Sequence, residues 1–289
     1  MRINDFDPGS IRVEDQRGGG FSMGGPGGKL GCGTIVIVLI ASLVFGVDPM
    51  QLLGGMEQVQ QPAGRVEQQG GTTVEESCSV NTFSREACAH LASLNQTWEP
   101  IFRTSGVRFA QPKLVFYSQN GQSGCGAAQS AMGPFYCPGD QGIYIDTDFY
   151  TEMEQRLGAG GDFARAYVMA HEFGHHVQTI TGLSDQIRSA QQSNPSQANQ
   201  LQVRMELQAD CYAGVWAAHN KDRIEADDIE EGLNAAHSIG DDTLMKASGR
   251  RPVEASFTHG TSAQRMQWLR KGLETGNEDA CDTFADLRR

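Results

Sequence analysis

The amino-acid sequence predicts an α+β fold that is mainly helical, with a small β-sheet, preceded by one transmembrane helix. Three observations support this prediction. One uncharged stretch near the N-terminus is long enough to cross a bilayer. Two short runs downstream are rich in β-forming residues, and several longer segments carry apolar residues at helical spacing. A small number of strands beside several long helices indicates that helices form most of the core.

The apolar stretch is "LGCGTIVIVLIASLVFGV", Leu30–Val47, which carries no charged residue. As a helix it would be about 27 Å long, close to the hydrocarbon thickness of a bilayer. A core helix would show a polar face, and a signal peptide would show a cleavage site after the apolar run. The Lys and Arg residues before the stretch favour a cytoplasmic N-terminus. We therefore expect a flexible Gly-rich cytoplasmic tail over 1–29, a transmembrane helix over 30–48, a flexible linker over 49–75 and an exported domain over 76–289.

Charge and cysteine content restrict the function classes. The 289-residue chain has a net charge of −12 and no Lys/Arg cluster, which argues against a nucleic-acid partner. Six cysteines follow the apolar stretch, and an even number in an exported domain indicates disulfides, with fifteen possible pairings. Cys125 and Cys137 flank a Gly-rich loop and are the first pair to expect. The alternative is that the cysteines are reduced, small apolar residues.

The elements of the domain follow from periodicity and end signals. Ser84 is predicted to cap a first helix, and the runs "KLVFYS" and "GIYIDT" are predicted as strands. Asp162 is predicted to cap a long helix that continues to about Ile180, with Gly182 ending it. After a polar connection, further helices are predicted over about 196–220, 226–238 and 261–274.

The long helix that follows Asp162 contains "AHEFGHH", which predicts a metal site. His171 and His175 are four residues apart and share one helix face, where two imidazoles can bind one zinc ion. Glu172 follows the first histidine, so its carboxylate lies beside the metal and can take a proton from an activated water. His176 points about 100° away from His175 and is interpreted as structural or surface-exposed.

A third metal ligand is needed. A metzincin would have Gly and His where this chain has Gln178 and Thr181, so that class is excluded. The next long helix offers Glu206 and Asp210 at i and i+4. Glu206 can complete a tetrahedral site with one position open, and Asp210 can accept the free ring N–H of a ligating histidine, His171 above all. The alternative is a solvated charged stripe, which the mostly apolar neighbours argue against.

The chain resembles the bacterial neutral zinc metallopeptidases of the YpfJ type, a membrane-anchored family similar to the gluzincins. The resemblance extends over nearly the whole chain. It rests on "FGVDP", "GCGAAQSAMGPFYCPGDQGIYIDTDFY", "AHEFGHHVQ", "ELQADCYAGVWA", "SFTHGTSAQR" and "CDTF". It implies a zincin-like domain with one catalytic Zn²⁺ held by His171, His175 and Glu206, and with Glu172 as the general base.

The resemblance also implies roles for two further motifs. His259 and Arg265 match a histidine near the start of a late helix followed by an arginine. His259 can then stabilise the oxyanion or occupy the open zinc position, whereas the alternative is a helix N-cap histidine. "GIYIDT", with Tyr144 and Ile145, is similar to the strand that holds an extended substrate.

The sequence therefore predicts a membrane-anchored zinc endopeptidase that hydrolyses proteins or peptides. We expect a single pass through the bacterial cytoplasmic membrane and a catalytic domain on the periplasmic or extracellular side. Two alternatives remain at this point: a zinc-stabilised peptide-binding or chaperone-like module with little turnover, and a hydrolase of another amide such as cell-wall peptide.

Overall fold

The computed structural model describes residues 1–2, 6–17 and 72–288. In these residues, helices pack around a small mixed sheet, so the mainly helical α+β fold is confirmed. The predicted transmembrane helix over 30–48 and the first part of the predicted linker, 49–71, lie outside the described residues, whereas a helix over Val74–Cys78 begins within the last residues of that linker. None of the described helices is long and apolar enough to cross a bilayer.

The elements are labelled in chain order. The helices are α1 Val74–Cys78, α2 Thr82–Ser105, α3 Asp148–Leu157, α4 Asp162–Ile180, α5 Leu183–Ser193, α6 Ala198–His219, α7 Asp228–Ser238, α8 Asp241–Ala247 and α9 Ser262–Thr275. The strands are β1 Arg12–Asp15, β2 Lys113–Tyr117, β3 Asn120–Ser123, β4 Gly126–Gln129, β5 Phe135–Cys137 and β6 Gly142–Asp146.

The long helices lie where periodicity placed them, and their ends differ by a few residues. The predicted cap Ser84 is wrong, because Asn81 caps α2 and its side chain accepts the Ser84 N–H. Gly182 does follow α4, with a left-handed φ of 77° that suits glycine. The polar connection after it folds into α5, where most polar residues face solvent, Ile187 packs inward and Gln191 is buried.

The four-stranded sheet has the order β1-β2-β6-β5. Strands β1, β2 and β6 are parallel, and β5 runs antiparallel to β6. Strands β3 and β4 form a separate hairpin, and the disulfide Cys125–Cys137 joins that hairpin to β5 as predicted. Two further disulfides, Cys78–Cys88 and Cys211–Cys281, join α1 to α2 and α6 to the C-terminal segment.

The described part of the N-terminal tail packs on the domain, so the expectation of a flexible tail is wrong for residues 1–2 and 6–17. Strand β1 pairs in register with β2. The Met1 ammonium lies 2.6 Å from Asp162 Oδ1 and 2.8 Å from Asp228 Oδ1, and the Met1 side chain is buried. A strand that completes a sheet must lie on the same side of a bilayer as that sheet. Residues 1–2 and 6–17 therefore share a compartment with the domain.

Arg17 secures this N-terminal strand. It forms a two-point ion pair with Asp15 and donates a 2.6 Å hydrogen bond to the Ser77 carbonyl. Its guanidinium also lies 4.3 Å from the ring centroid of Phe116. Ser77 and Phe116 are distant in sequence, which explains why "RVEDQR" carries no recognisable strand signal of its own.

Helix α9 packs directly on α6, and a glycine permits it. A Cβ atom on Gly272 would lie 1.9 Å from the Cys211 carbonyl oxygen, so no other residue fits at this crossing. The close contact brings the first turns of α9 towards the face of α6 that also meets α4. Arg265 thereby enters the protein interior.

Candidate metal centre and active site

Helices α4 and α6 carry the predicted site residues and cross in close contact. A Cβ atom on Gly174 would lie 2.8 Å from the Ala209 Cα atom, closer than real Cβ atoms approach. Because glycine leaves this space to the backbone of α6, the i, i+4 faces of the two helices meet. His171 and His175 on α4 therefore face Glu206 on α6.

Three side chains converge at one buried point. His171 Nε2 lies 3.2 Å from Glu206 Oε2, and His175 Nε2 lies 3.5 Å from the same oxygen. Ligand atoms at about 2.0–2.1 Å from zinc in tetrahedral geometry lie about 3.3 Å apart, so this spacing suits one zinc ion. Two imidazole nitrogens and one carboxylate oxygen are also a donor set of catalytic zinc sites. The structure thus brings the three predicted ligands together.

The other ring nitrogen of each histidine has its own acceptor. His171 Nδ1 lies 2.8 Å from Asp210 Oδ1, and His175 Nδ1 lies 2.9 Å from Gln178 Oε1. Both acceptors favour a proton on Nδ1 and leave Nε2 free to bind a metal ion. The position of Asp210 agrees with the prediction. The contact of Gln178 was missed, although its i+3 spacing from His175 was a usable signal.

Asp210 is fully buried and accepts hydrogen bonds from two further residues. Arg265 donates from Nε and Nη2, each at 2.9 Å, and the Tyr167 hydroxyl donates at 2.6 Å. Burial alone would raise the pKa of Asp210, but the charges of Arg265 and His171 outweigh burial and lower it to about 2. Arg265 therefore acts on the candidate metal site through an ionised Asp210. Tyr167, one helical turn before His171, was not predicted.

Glu206 is oriented by a residue one turn earlier on α6. Gln202 Nε2 donates to Glu206 Oε1 at 2.7 Å, which leaves Oε2 facing the histidines. Gln202 in turn accepts a 3.2 Å hydrogen bond from Gln191 on α5. Burial raises the pKa of Glu206, but the charges of His175 and His259 lower it well below its usual value. The carboxylate is therefore ionised and suited to bind a cation.

The two histidines lie in a negative environment. Burial lowers the pKa of His171, but the Asp210 carboxylate outweighs burial and raises this pKa to about 10. The pKa of His175 is also raised, since the charge of Glu206 exceeds the effect of burial. Buried carboxylates around two imidazoles favour a bound cation, either a proton or a metal ion.

Glu172 lies in the wall of the same cleft as the three candidate ligands. Its side chain is buried, and burial raises the pKa of its carboxyl group. The backbone N–H of Tyr136 acts against burial and lowers the pKa of the same group. The predicted general base is therefore close to the candidate ligands without being one of them.

His259 also lines this cleft, and Asp241 holds it there. His259 Nδ1 lies 3.3 Å from Asp241 Oδ1, while Asp241 Oδ2 accepts the backbone N–H groups of Thr258, His259 and Gly260. Asp241 was not predicted; it is the first residue of α8, and only the fold places it under this loop.

The alternative role of His259 as a helix cap is wrong. Helix α9 begins at Ser262, and its N-cap is Thr261, whose side chain accepts the Gln264 N–H. His259 lies two residues before this cap and points into the cleft instead.

The predicted substrate strand is also wrong. Strand β6, which contains Tyr144 and Ile145, pairs with β2 over Gly142–Asp146 on one side and with β5 over Gly142–Tyr144 on the other, so the backbone of Tyr144 has no free edge. Tyr144 stacks on Phe135 with ring centroids 4.9 Å apart, and Ile145 is fully buried. The outer strand on this side of the described sheet is β5, and Phe135 and Tyr136 line the cleft.

Comparison with known proteins identifies the family of this chain. The sequence model of a family described as "Putative neutral zinc metallopeptidase" matches residues 3–284. "Uncharacterized protein YpfJ" of Escherichia coli (strain K12) is 45% identical over 289 residues, covering 95% of this chain and 96% of that protein. "Uncharacterized protein Rv2575" of Mycobacterium tuberculosis (strain ATCC 25618 / H37Rv) is 39% identical over 210 residues, covering 68% and 69%. No solved structure gives a significant match.

Proposed function

The chain belongs to this family of neutral zinc metallopeptidases, and on that premise we propose that it hydrolyses peptide bonds of protein or peptide substrates. One observation carries the proposal: the Nε2 atoms of His171 and His175 both lie within 3.5 Å of Glu206 Oε2, in the wall of a cleft that also contains Glu172. We propose that these two histidines and Glu206 hold one catalytic zinc ion.

A bound zinc ion supplies Lewis-acid chemistry, which polarises a carbonyl group and lowers the pKa of a water molecule. Glu172 acts as the general base that takes the proton from the attacking water and passes it to the leaving amine. Its burial supports this role, because the raised pKa brings the carboxyl group closer to the pH at which it can both accept and release a proton.

His259 is proposed to stabilise the oxyanion that forms from the scissile carbonyl. Asp241 and Thr258 hold Nδ1, so Nε2 is the ring nitrogen left to contact the oxyanion. The three backbone bonds to Asp241 fix the position of this loop before a substrate binds.

The substrate is proposed to add as an extended strand to the outer edge of β5. This edge lines the cleft beside Glu172, and backbone pairing there would accept peptides with little dependence on their sequence. This proposal replaces the role first given to Tyr144 and Ile145 on β6.

Three disulfides are typical of a protein in an oxidising compartment. We propose that the domain lies in the periplasm or outside the cell. The single-pass anchor over residues 30–48 stays a prediction from the sequence, and it competes with the β1–β2 pairing, because one crossing there would place β1 and β2 on opposite sides of the bilayer.

The proposal is tested with the full chain in mild detergent, using casein as an unfolded protein substrate. We expect wild type to bind one zinc ion and cleave casein. Glu172→Gln should keep the zinc and lose at least about 100-fold in rate, because the base is removed without a ligand. Glu154→Gln, an exposed glutamate on α3, is the matched control and should behave as wild type.

Glu206→Ala should lower the zinc content sharply, since one of three ligands is lost. A Glu172→Gln variant with wild-type cleavage would contradict the assigned base. A wild-type chain that holds zinc and binds casein but does not cleave it would favour the peptide-binding module instead.

A further inference from the structure

His176, the third histidine of "HEFGHH", is fully buried and has two polar partners. Its Nε2 lies 2.6 Å from the Ala110 carbonyl oxygen, and its Nδ1 lies 3.1 Å from the Tyr136 hydroxyl. A carbonyl only accepts hydrogen bonds, so Nε2 carries the proton and Nδ1 accepts from Tyr136. Burial lowers the pKa of His176 to about 4, in keeping with a neutral ring.

Tyr136 is the middle residue of β5, and its hydroxyl reaches His176 on α4. Its backbone N–H also acts on Glu172, where it lowers the pKa of the carboxyl group against the effect of burial. Glu172 and His176 are four residues apart, so they lie one turn apart on the same face of α4. One strand residue therefore spans this turn of the active-site helix.

The position of Tyr136 in the sheet explains how its backbone reaches the helix. In the ladder with β6, Tyr136 lies opposite Ile143. Successive residues of an edge strand direct their backbone groups alternately towards the neighbouring strand and away from it. Strand β5 is the outer strand on this side of the described sheet, so one of its edges faces away from β6, and its residue Tyr136 lines the same cleft as Glu172.

We infer that Tyr136 and His176 are positioning residues for Glu172: their hydrogen bond holds β5 against α4 and so fixes the part of the cleft wall that lies beside the base carboxylate. The inference rests on the proposed function for the role of Glu172. The inference assigns His176 a positioning role in catalysis, although His176 is not one of the proposed metal ligands.

A purely structural role would predict a different outcome. The ring of Tyr136 packs edge-on against His176, with centroids 5.5 Å apart, and this packing survives loss of the hydroxyl. Tyr136→Phe therefore removes the hydrogen bond and leaves the packing in place. The matched control is Tyr117→Phe, which removes another buried hydroxyl of the same sheet, bonded to the Gln129 carbonyl and remote from α4.

Full-length variants are compared in casein-derived peptide cleavage, zinc content and hydrogen exchange of residues 135–137. We expect Tyr136→Phe to lower kcat about 10-fold or more, with a smaller change in KM and unchanged zinc, because a positioned proton acceptor contributes to the chemical step. Tyr117→Phe should keep the wild-type kcat. His176→Leu should match Tyr136→Phe, and His176→Gln, whose amide can donate to Ala110 and accept from Tyr136, should recover part of kcat.

The exchange measurement does not depend on turnover. We expect faster exchange at residues 135–137 in Tyr136→Phe and His176→Leu, but not in Tyr117→Phe. This result is expected even if wild type cleaves nothing. In that case the proposed function fails, while the connection between β5 and α4 stands. Unchanged exchange and unchanged kcat in Tyr136→Phe would overturn the inference. Equal loss of kcat in Tyr117→Phe would also overturn it, because the effect would then be general destabilisation.

Discussion

The Asp210 carboxylate connects the buried Arg265 to the candidate ligand His171, so Asp210→Asn tests how much the surroundings of the metal site contribute. The substitution keeps the size of the side chain and removes its charge. Asp210 accepts hydrogen bonds from Arg265 Nε and Nη2, from Tyr167 and from His171. An asparagine has only one oxygen, so its NH₂ group would face the Nε–H of Arg265 and place two donors against each other.

The expected magnitude follows from burial. Asp210 has no solvent exposure and Arg265 is almost fully buried, so the variant leaves a buried cation without its partner. Breaking such a pair costs about 3–5 kcal/mol of unfolding free energy. Loss of the carboxylate that orients a metal-binding histidine lowers metal affinity by about 10- to 100-fold.

The assay combines guanidinium unfolding with zinc competition against a chromophoric chelator at pH 7. Glu86→Gln is the matched control, since Glu86 forms a two-point pair with Arg165 that is also mostly buried but does not contact the ligands. This control should lose stability and keep its zinc affinity within about twofold. Unchanged zinc affinity in Asp210→Asn would refute the orienting role, and an equal loss in Glu86→Gln would reduce it to general destabilisation.

Three further predictions follow from the structure. Asp241→Asn should lower kcat about 10- to 100-fold with zinc retained, because His259 loses its carboxylate acceptor. The double variant with His259→Gln should lose little more activity than either single variant. A kcat equal to wild type in Asp241→Asn would contradict the role of His259. His90 is fully buried, lacks hydrogen-bond partners within the described residues, and has a pKa lowered by burial from 6.5 to about 3. Stability that depends on the neutral ring is complete above pH 6.5 and falls by about 1.4 kcal/mol per pH unit from there towards pH 3, so His90→Leu should flatten acid unfolding curves in that range; curves that keep their slope would contradict this assignment. Finally, Arg12 and Lys113 are register partners on β1 and β2, so the double variant Arg12→Cys with Lys113→Cys should form a disulfide in the exported protein. Two free thiols at these positions would indicate that the N-terminal strand does not share the compartment of the domain.

The sequence by itself determined the features that depend on neighbours along one helix. His171, Glu172 and His175 on one segment and Glu206 and Asp210 on another are recognisable because helical spacing alone puts each set on a common face. The helix positions and the mainly helical class follow from the same periodicity.

Only the tertiary structure decided which strands have a free edge. Strand β6 resembled a substrate strand, yet β5 covers it, and the short run 135–137 carries too little pattern to be recognised. Strand β1 is similar: "RVED" becomes a strand only because β2 offers an edge about 100 residues away in the chain.

The residues that hold the site in place were decided in the same way. Arg265 lies 55 residues from Asp210, and Asp241 lies 18 residues from His259 on a different element. Spacing within one helix is fixed by backbone geometry and can be read from the sequence, whereas these contacts depend on how elements cross. That crossing is set by close approaches such as Gly174 against Ala209, which only the folded chain reveals.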